Sequence, residues 1–176
     1  MDTTSPFVGV LNPEEVIRKG YISNTITDRI QPNSIDLTVQ SVYVISGPLI
    51  LFADKETKRQ LPEYNLIKPF PYEGRDMYLL EPGIRYQVEF NETLSFDTSI
   101  CGITLVRSTM AKSGCSGENG LFDSGYHGAC GMMVSVQTPS YIEVGSSIAQ
   151  MVFFSTNSSK VYNGFYQGSE SPMEWN

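Results

Sequence analysis

Apolar and polar residues alternate with a period of two through much of this chain. In Tyr86-Gln87-Val88-Glu89-Phe90 the large side chains fall at every second position, as in a strand with one face in a core and the other turned outward. Val42-Tyr43-Val44-Ile45 and residues 100–106, 131–137, 141–144 and 148–154 read as further strands. Gly47-Pro48, Glu81-Pro82-Gly83 and Pro139-Ser140 mark turns between them. One early segment departs from this period. Asn12-Pro13-Glu14-Glu15 predicts a helix start, with Asn12 as cap, Pro13 in the first turn and two glutamates at the positive end of the dipole. Val16 and Ile17 would face the core, and Gly20 would end the helix. Residues 54–75 are polar and contain prolines, which predicts a surface excursion between strands. No internal repeat or low-complexity tract interrupts the series. One short helix followed by many punctuated strands predicts a mainly all-β fold, a barrel or sandwich of the jelly-roll sort.

Composition narrows the function classes. The chain has 176 residues, 40% hydrophobic and 11% aromatic, enough for one domain with a real core. A net charge of -7 argues against a nucleic-acid polymer as partner, which calls for a basic surface. A small phosphorylated ligand needs only a few local cations. Cys101, Cys115 and Cys130 lack CxxC spacing, so they read as reduced thiols in a cytoplasmic protein, and no zinc-finger or deaminase-type zinc spacing occurs. Residues 1–5 show no signal-peptide pattern, and no apolar run is long enough to span a membrane.

Candidate chemistry concentrates in a few places. Gly120-Leu121-Phe122-Asp123-Ser124-Gly125-Tyr126-His127-Gly128 sets a carboxylate three residues from an aromatic ring, between glycines that permit close approach or positive φ. With one histidine in the chain, Asp123 is the best candidate for a catalytic base; a turn aspartate is the plain alternative. Tyr126 is either a core ring or a platform beneath a sugar. Arg107-Ser108-Thr109-Met110-Ala111-Lys112-Ser113-Gly114 places cations and hydroxyls at a strand end, suited to phosphate oxygens or merely to a solvated helical turn. Asp36, between Ile35 and Leu37, is expected to be partly buried and in need of a partner, arginine being an obvious one. Gln150 interrupts an apolar run and either serves a ligand or faces solvent. The aromatic segment Tyr162-Asn163-Gly164-Phe165-Tyr166-Gln167-Gly168 fits a closing tail that stacks on a base. Residues 1–168 are expected to form the domain and 169–176 a flexible end.

Taken in order, these segments resemble the superfamily of trimeric dUTPases and dCTP deaminases. Ile30-Gln31-Pro32-Asn33-Ser34-Ile35-Asp36-Leu37 is similar to the deaminase-branch motif Gln-Pro-x-Ser-Ile-Asp-Leu, and residues 107–114 to its phosphate motif Arg-Ser-Ser-Leu-Ala-Arg-x-Gly. Residues 120–128 resemble the dUTPase motif Gly-Leu-Ile-Asp-Ser-x-Tyr-x-Gly. Gly145-Ser146-Ser147-Ile148-Ala149-Gln150-Met151 resembles Gly-x-x-Ile-Ala-Gln-Met, and Phe165-Tyr166-Gln167-Gly168 the deaminase tail Lys-Tyr-Gln-Gly. The resemblance implies a distorted jelly-roll protomer and a homotrimer with shared sites. It also implies a deoxypyrimidine nucleoside triphosphate as ligand, with Mg²⁺ bound through its phosphates. By position it assigns Arg107, Ser108, Lys112 and Gln150 to phosphates. Tyr126 falls under the deoxyribose, the backbone near Asn119 and Gly120 at the pyrimidine edge, Tyr166 and Gln167 at the base or sugar, and Asp36 near the metal through water.

The two branches differ in chemistry. Family deaminases carry a proton-shuttling glutamate ten positions after the motif aspartate, and counting from Asp123 reaches Met133. A thioether cannot move that proton. Hydrolysis of the α–β phosphoanhydride needs only Asp123 to orient and deprotonate a water, with cations on the phosphates. The expectation is therefore a dUTP diphosphatase on a deaminase-like framework. The alternatives are a dCTP deaminase, mono- or bifunctional, and a non-catalytic nucleotide-binding protein of the same fold. The tail lacks the glycine-rich, arginine-bearing fifth motif of ordinary dUTPases.

Overall fold

The computed structural model describes residues 9–54 and 56–171. The readings made on residues 1–5 and on the chain end beyond residue 171 lie outside the described residues. Helix α1 (Pro13–Arg18) forms as its sequence dictates: the Asn12 side chain accepts the Glu14 N–H at 2.9 Å, and Lys19 ion-pairs with Glu15 at 3.0 Å. Gly20 follows with φ +73°, and Val16 is buried. Next come β1 (Ile22–Ser23), β2 (Ile30–Gln31), β3 (Ser34–Ser46), β4 (Glu63–Leu66), β5 (Phe70–Tyr72), β6 (Arg75–Leu80) and β7 (Arg85–Ser95). β8 (Ile100–Val106) leads into the short helix α2 (Ser108–Lys112). The chain then continues through β9 (Cys115–Glu118), β10 (His127–Val136), β11 (Ser140–Glu143) and β12 (Ser147–Ser155).

All strand pairs are antiparallel. The larger sheet runs β8-β12-β3-β7-β10-β9, with β1 added to β7 and with β2 and β4 added to β3; β11, β6 and β5 make a smaller sheet. Strand β3 is the spine. Its first half pairs with β12 and its second half with β7 and β4. Ser34 to Val39 are buried without interruption, so both faces of this half are covered. Ile35, Leu37 and Val39 join the apolar core, while the alternate residues Ser34, Asp36 and Thr38 need polar partners inside the fold. The mainly β, barrel-like protomer expected from the resemblance is the fold observed.

The excursion expected at 54–75 needs correction. It is largely exposed, but it contains β4 and β5. Tyr64 pairs with Ile45 across the edge of β3, and Pro71 is tolerated because β5 is the edge strand of its sheet among the described residues. Strand β3 begins well before Val42, and β10 begins at His127 rather than Gly131.

Glu92 is a buried acid held by hydrogen bonds. It is 1% exposed, and its two oxygens accept from the Thr38 N–H at 2.9 Å and hydroxyl at 2.8 Å. Burial raises its pKa above the ordinary carboxylate value, and the bonds from Thr38 oppose that shift. Asp36 is shifted in the same direction, also by burial. A raised folded-state pKa means that the fold favours the protonated acid. This stabilisation is complete below the unfolded carboxylate value and is lost as pH rises through the folded one. Glu92→Gln should therefore lose less stability than the unmodified protein between about pH 5 and about pH 8. Urea midpoints at the two pH values check this; equal losses would contradict it.

Candidate active site

The loop joining β9 to β10 carries Asp123, and its entry is fixed by Asn119. The Asn119 amide donates to Thr104 Oγ1 of β8 at 2.7 Å and to the Gly131 carbonyl of β10 at 2.8 Å, and its oxygen accepts the Gly120 N–H at 2.9 Å. Phe122 and Gly102 exchange two backbone hydrogen bonds. Beyond them the Asp123 carbonyl accepts the Tyr126 N–H at 3.1 Å, which closes the turn. Tyr126 is 5% exposed; its hydroxyl donates to the Ala129 carbonyl, and its ring packs 5.4 Å from Phe122 and 5.6 Å from Tyr162, centroid to centroid. Burial drives the Tyr126 phenol well above its usual pKa, so it stays a neutral donor. The Asp123 side chain, by contrast, is exposed at the rim.

These residues border a cleft of about 350 Å³, with Tyr64, Gln87, Gly120, Tyr162 and Tyr166 among its walls. Asp123 is the one carboxylate among the described residues lining it. Gly120 looks onto open space: a Cβ there would meet nothing within 4 Å. The other two motif glycines that bear on the site serve the chain itself. Gly125 has φ +83°, and a Cβ there would sit 2.7 Å from the Val161 Cβ. Gly128 is similarly closed off by the Ser169 backbone.

Both glycines lie against the C-terminal segment, which runs over the loop as a strap. Tyr162 N–H donates to the Ser124 carbonyl at 2.7 Å, Gly168 N–H to the His127 carbonyl at 2.8 Å, and Ala129 N–H to the Ser169 carbonyl at 3.0 Å. Gln167, assigned to base or sugar by the resemblance, does not line the cleft. Its amide donates to the Gly125 carbonyl at 2.8 Å and its oxygen accepts the His127 N–H at 3.2 Å, so it pins the strap. Tyr166 does reach the cleft. The Phe165 ring lies under the Arg59 guanidinium at 4.5 Å, a contact that ties the strap to the 47–62 loop. Ser169 is 2% exposed, so the packed chain continues one residue past the boundary expected at 168.

The cations expected at phosphates cluster elsewhere. Arg107 caps α2, ion-pairs with Asp36 at 3.3 Å and donates to the Ser147 carbonyl at 3.3 Å. Asp36 is 2% exposed. Its Oδ2 also accepts from Gln31 at 3.2 Å, while its Oδ1 is buried without a hydrogen-bond partner. Gln150, paired with Asp36 across the β12–β3 ladder, accepts from the Ser34 hydroxyl at 3.3 Å. Ser108 and Lys112 are exposed on α2. None of these five lines the Asp123 cleft. One protomer therefore brings together Asn119, Gly120, Asp123, Tyr126 and Tyr166, and holds Arg107, Asp36 and Gln150 in a separate group.

Several cleft residues were not placed at the site from the sequence. Tyr64 sits in the supposed excursion, where only the short Tyr64/Leu66 alternation signalled a strand. Gln87 is the outward member of an alternating strand, and Tyr162 was read as part of the tail rather than as a wall. Met133, at the deaminase glutamate position, pairs with both Gln87 and Glu118 across the sheet. Glu118 is thus in register beside it, but it lies 3.6 Å from Arg85 in an exposed ion pair and does not line the cleft.

Fold and site together define an antiparallel β barrel with an aromatic cleft and a carboxylate at its rim, and comparison with known proteins gives its family. The chain belongs to the dCTP deaminase-like family, whose model matches residues 14–156. Its relatives include the deoxyuridine 5'-triphosphate nucleotidohydrolase of Methanocaldococcus jannaschii, 30% identical, with 85% of this chain and 94% of that protein covered. A probable deoxyuridine 5'-triphosphate nucleotidohydrolase of Archaeoglobus fulgidus is 31% identical, with 88% and 89% covered. The fold also matches the 2'-deoxycytidine 5'-triphosphate deaminase of Agrobacterium tumefaciens with a TM-score of 0.62 at 17% identity. That match spans 84% of this chain and about half (48%) of the deaminase chain.

Proposed function

We propose that this protein is a dUTP diphosphatase, hydrolysing the α–β phosphoanhydride of dUTP to dUMP and pyrophosphate with Mg²⁺. The observation that carries the reading is the single carboxylate among the described residues lining the cleft, placed at the rim beside aromatic walls. The nucleoside occupies the cleft, with the Tyr126 ring beneath the deoxyribose and the backbone at Asn119 and Gly120 along the pyrimidine edge. Asp123 orients a water and takes its proton as the water oxygen bonds to the α-phosphorus. The bond to the bridging oxygen breaks, and its electron pair leaves with pyrophosphate. The relatives named as deoxyuridine triphosphate nucleotidohydrolases support this assignment.

The family resemblance implies a homotrimer, in which Arg107, Ser108, Lys112 and Gln150 act on phosphates in a neighbouring protomer's cleft. This accounts for their separation from Asp123 within one chain. No group of three acidic, histidine or cysteine side chains that could hold a metal occurs among the described residues. The reading places the ion on the substrate's own phosphates rather than in a protein cage. Asp36, with its buried unpartnered Oδ1, is the residue that would face it through water. When bound, Mg²⁺ supplies charge neutralisation on the phosphate oxygens. A cytoplasmic setting is in keeping with the three unpaired thiols.

Deamination of dCTP is the second reading, favoured by the family model and by the position of Glu118 next to Met133. It requires an acid at the pyrimidine ring, and Glu118 is engaged by Arg85 instead. Incubation with dUTP, dCTP and dTTP plus Mg²⁺, followed by product identification, separates the readings. Pyrophosphate and dUMP from dUTP, with no ammonia from dCTP, is the expected result. Ammonia release, or tight binding without turnover, would overturn it.

A further inference from the structure

Asp123 borders two clefts. One is the aromatic cleft. Asp123 also borders a cleft of about 490 Å³ that shares Leu121, Asp123 and Tyr162 with the first and is lined besides by Cys101, Val161 and several polar residues, among them Ser124, Thr156, Ser158 and Lys160. Cys101 lies on its wall, and the Asp123 charge adds to burial in raising that thiol's pKa, so the carboxylate is felt on this side as well. Lys160 is the one cation among the described residues lining either cleft.

Its position is fixed by the backbone on both sides. Thr156 N–H donates to the Ser99 carbonyl at 2.8 Å, Ser158 N–H to the Thr98 carbonyl at 3.2 Å and Tyr162 N–H to the Ser124 carbonyl at 2.7 Å. Between these anchors the Ser158 hydroxyl donates to the Lys160 carbonyl at 2.7 Å and accepts the Lys160 N–H at 3.2 Å, making a tight turn with the lysine at its end. A triphosphate drawn alongside Asp123 meets a like charge, and a cation of the same protomer beside it would help to offset that repulsion. The cations of the Arg107 group do not line this protomer's clefts.

We propose that Lys160 is a phosphate-contacting residue: the triphosphate passes Asp123 from the aromatic cleft into the second one, where the Lys160 ammonium holds the β- and γ-phosphates and then the departing pyrophosphate. This rests on the hydrolase reading above and adds to it a cation supplied in cis. The atoms balance as before, since Lys160 keeps its proton and forms no bond to phosphorus.

The test compares binding of dUMP and of the non-hydrolysable α,β-imido analogue of dUTP to the unmodified protein, Lys160→Gln and Lys160→Arg, by calorimetry with Mg²⁺. Lys160→Gln should weaken the analogue about tenfold and leave dUMP unchanged, while Lys160→Arg stays within about twofold of the unmodified protein. Equal analogue affinity in Lys160→Gln, or parallel losses for dUMP and analogue, would overturn the assignment. Pyrophosphate release from dUTP by the unmodified protein is scored separately. Its absence removes the hydrolase reading, while the binding comparison still decides whether Lys160 meets the phosphates.

Discussion

Asp123→Asn is expected to lower pyrophosphate release from dUTP about a thousandfold while dUMP binding stays within about twofold. The amide keeps the shape and a hydrogen-bonding oxygen, and so can still hold a water. It cannot accept the proton that the water must lose. The side chain is exposed, and the bond that shapes the turn comes from the Asp123 backbone carbonyl, so the fold should be indifferent to the change. Loss of turnover with unchanged melting and unchanged dUMP affinity isolates the chemical step. Turnover within tenfold of the unmodified protein would mean that another group takes the proton.

The second large effect concerns Gly125. Alanine there suffers twice: φ +83° disfavours any side chain, and the new methyl would press on Val161 at 2.7 Å. Gly83 supplies the control, with φ +81° and no atom within 4 Å of the same added methyl. Gly83→Ala should cost about 1–2 kcal/mol from backbone strain alone. Gly125→Ala should cost about 1–3 kcal/mol more, because the strap or the loop must give way. It should also raise KM for dUTP, since Tyr162 and Tyr166 are cleft walls on the displaced strap. Denaturant melts of both variants, with hydrogen exchange across residues 161–169, test this. Similar costs for the two would mean that the strap is not held where it is described.

Much of the framework could be read from side-chain alternation. Strand β8 runs where its apolar pattern places it, and α1 starts at the Asn12 cap and is followed by Gly20 at positive φ. The extent of β3 was harder to see. Its first half alternates Ile35, Leu37 and Val39 with Ser34, Asp36 and Thr38, but both faces are buried, so the polar members look like a site rather than the inner face of a strand. Strands β4 and β5 were hidden for the opposite reason. They are short and exposed, and their register is set by the edges they join. At the site, the residues around Asp123 were legible because they are contiguous in the chain. Tyr64 and Lys160 were not, since each arrives from a distant segment and neither has a neighbour that marks it. The motif glycines were legible as special, but their purpose was not: Gly125 and Gly128 make room for the protein's own C-terminal backbone.

The strap is separable from the framework it lies on. Strand β12, which joins β8 to β3, ends at Ser155, before the residues that wall the two clefts beside Asp123. The sheet framework is therefore complete without Lys160, Tyr162 and Tyr166. Peeling the strap away would leave a barrel well formed in outline yet missing the walls with which it grips a nucleotide.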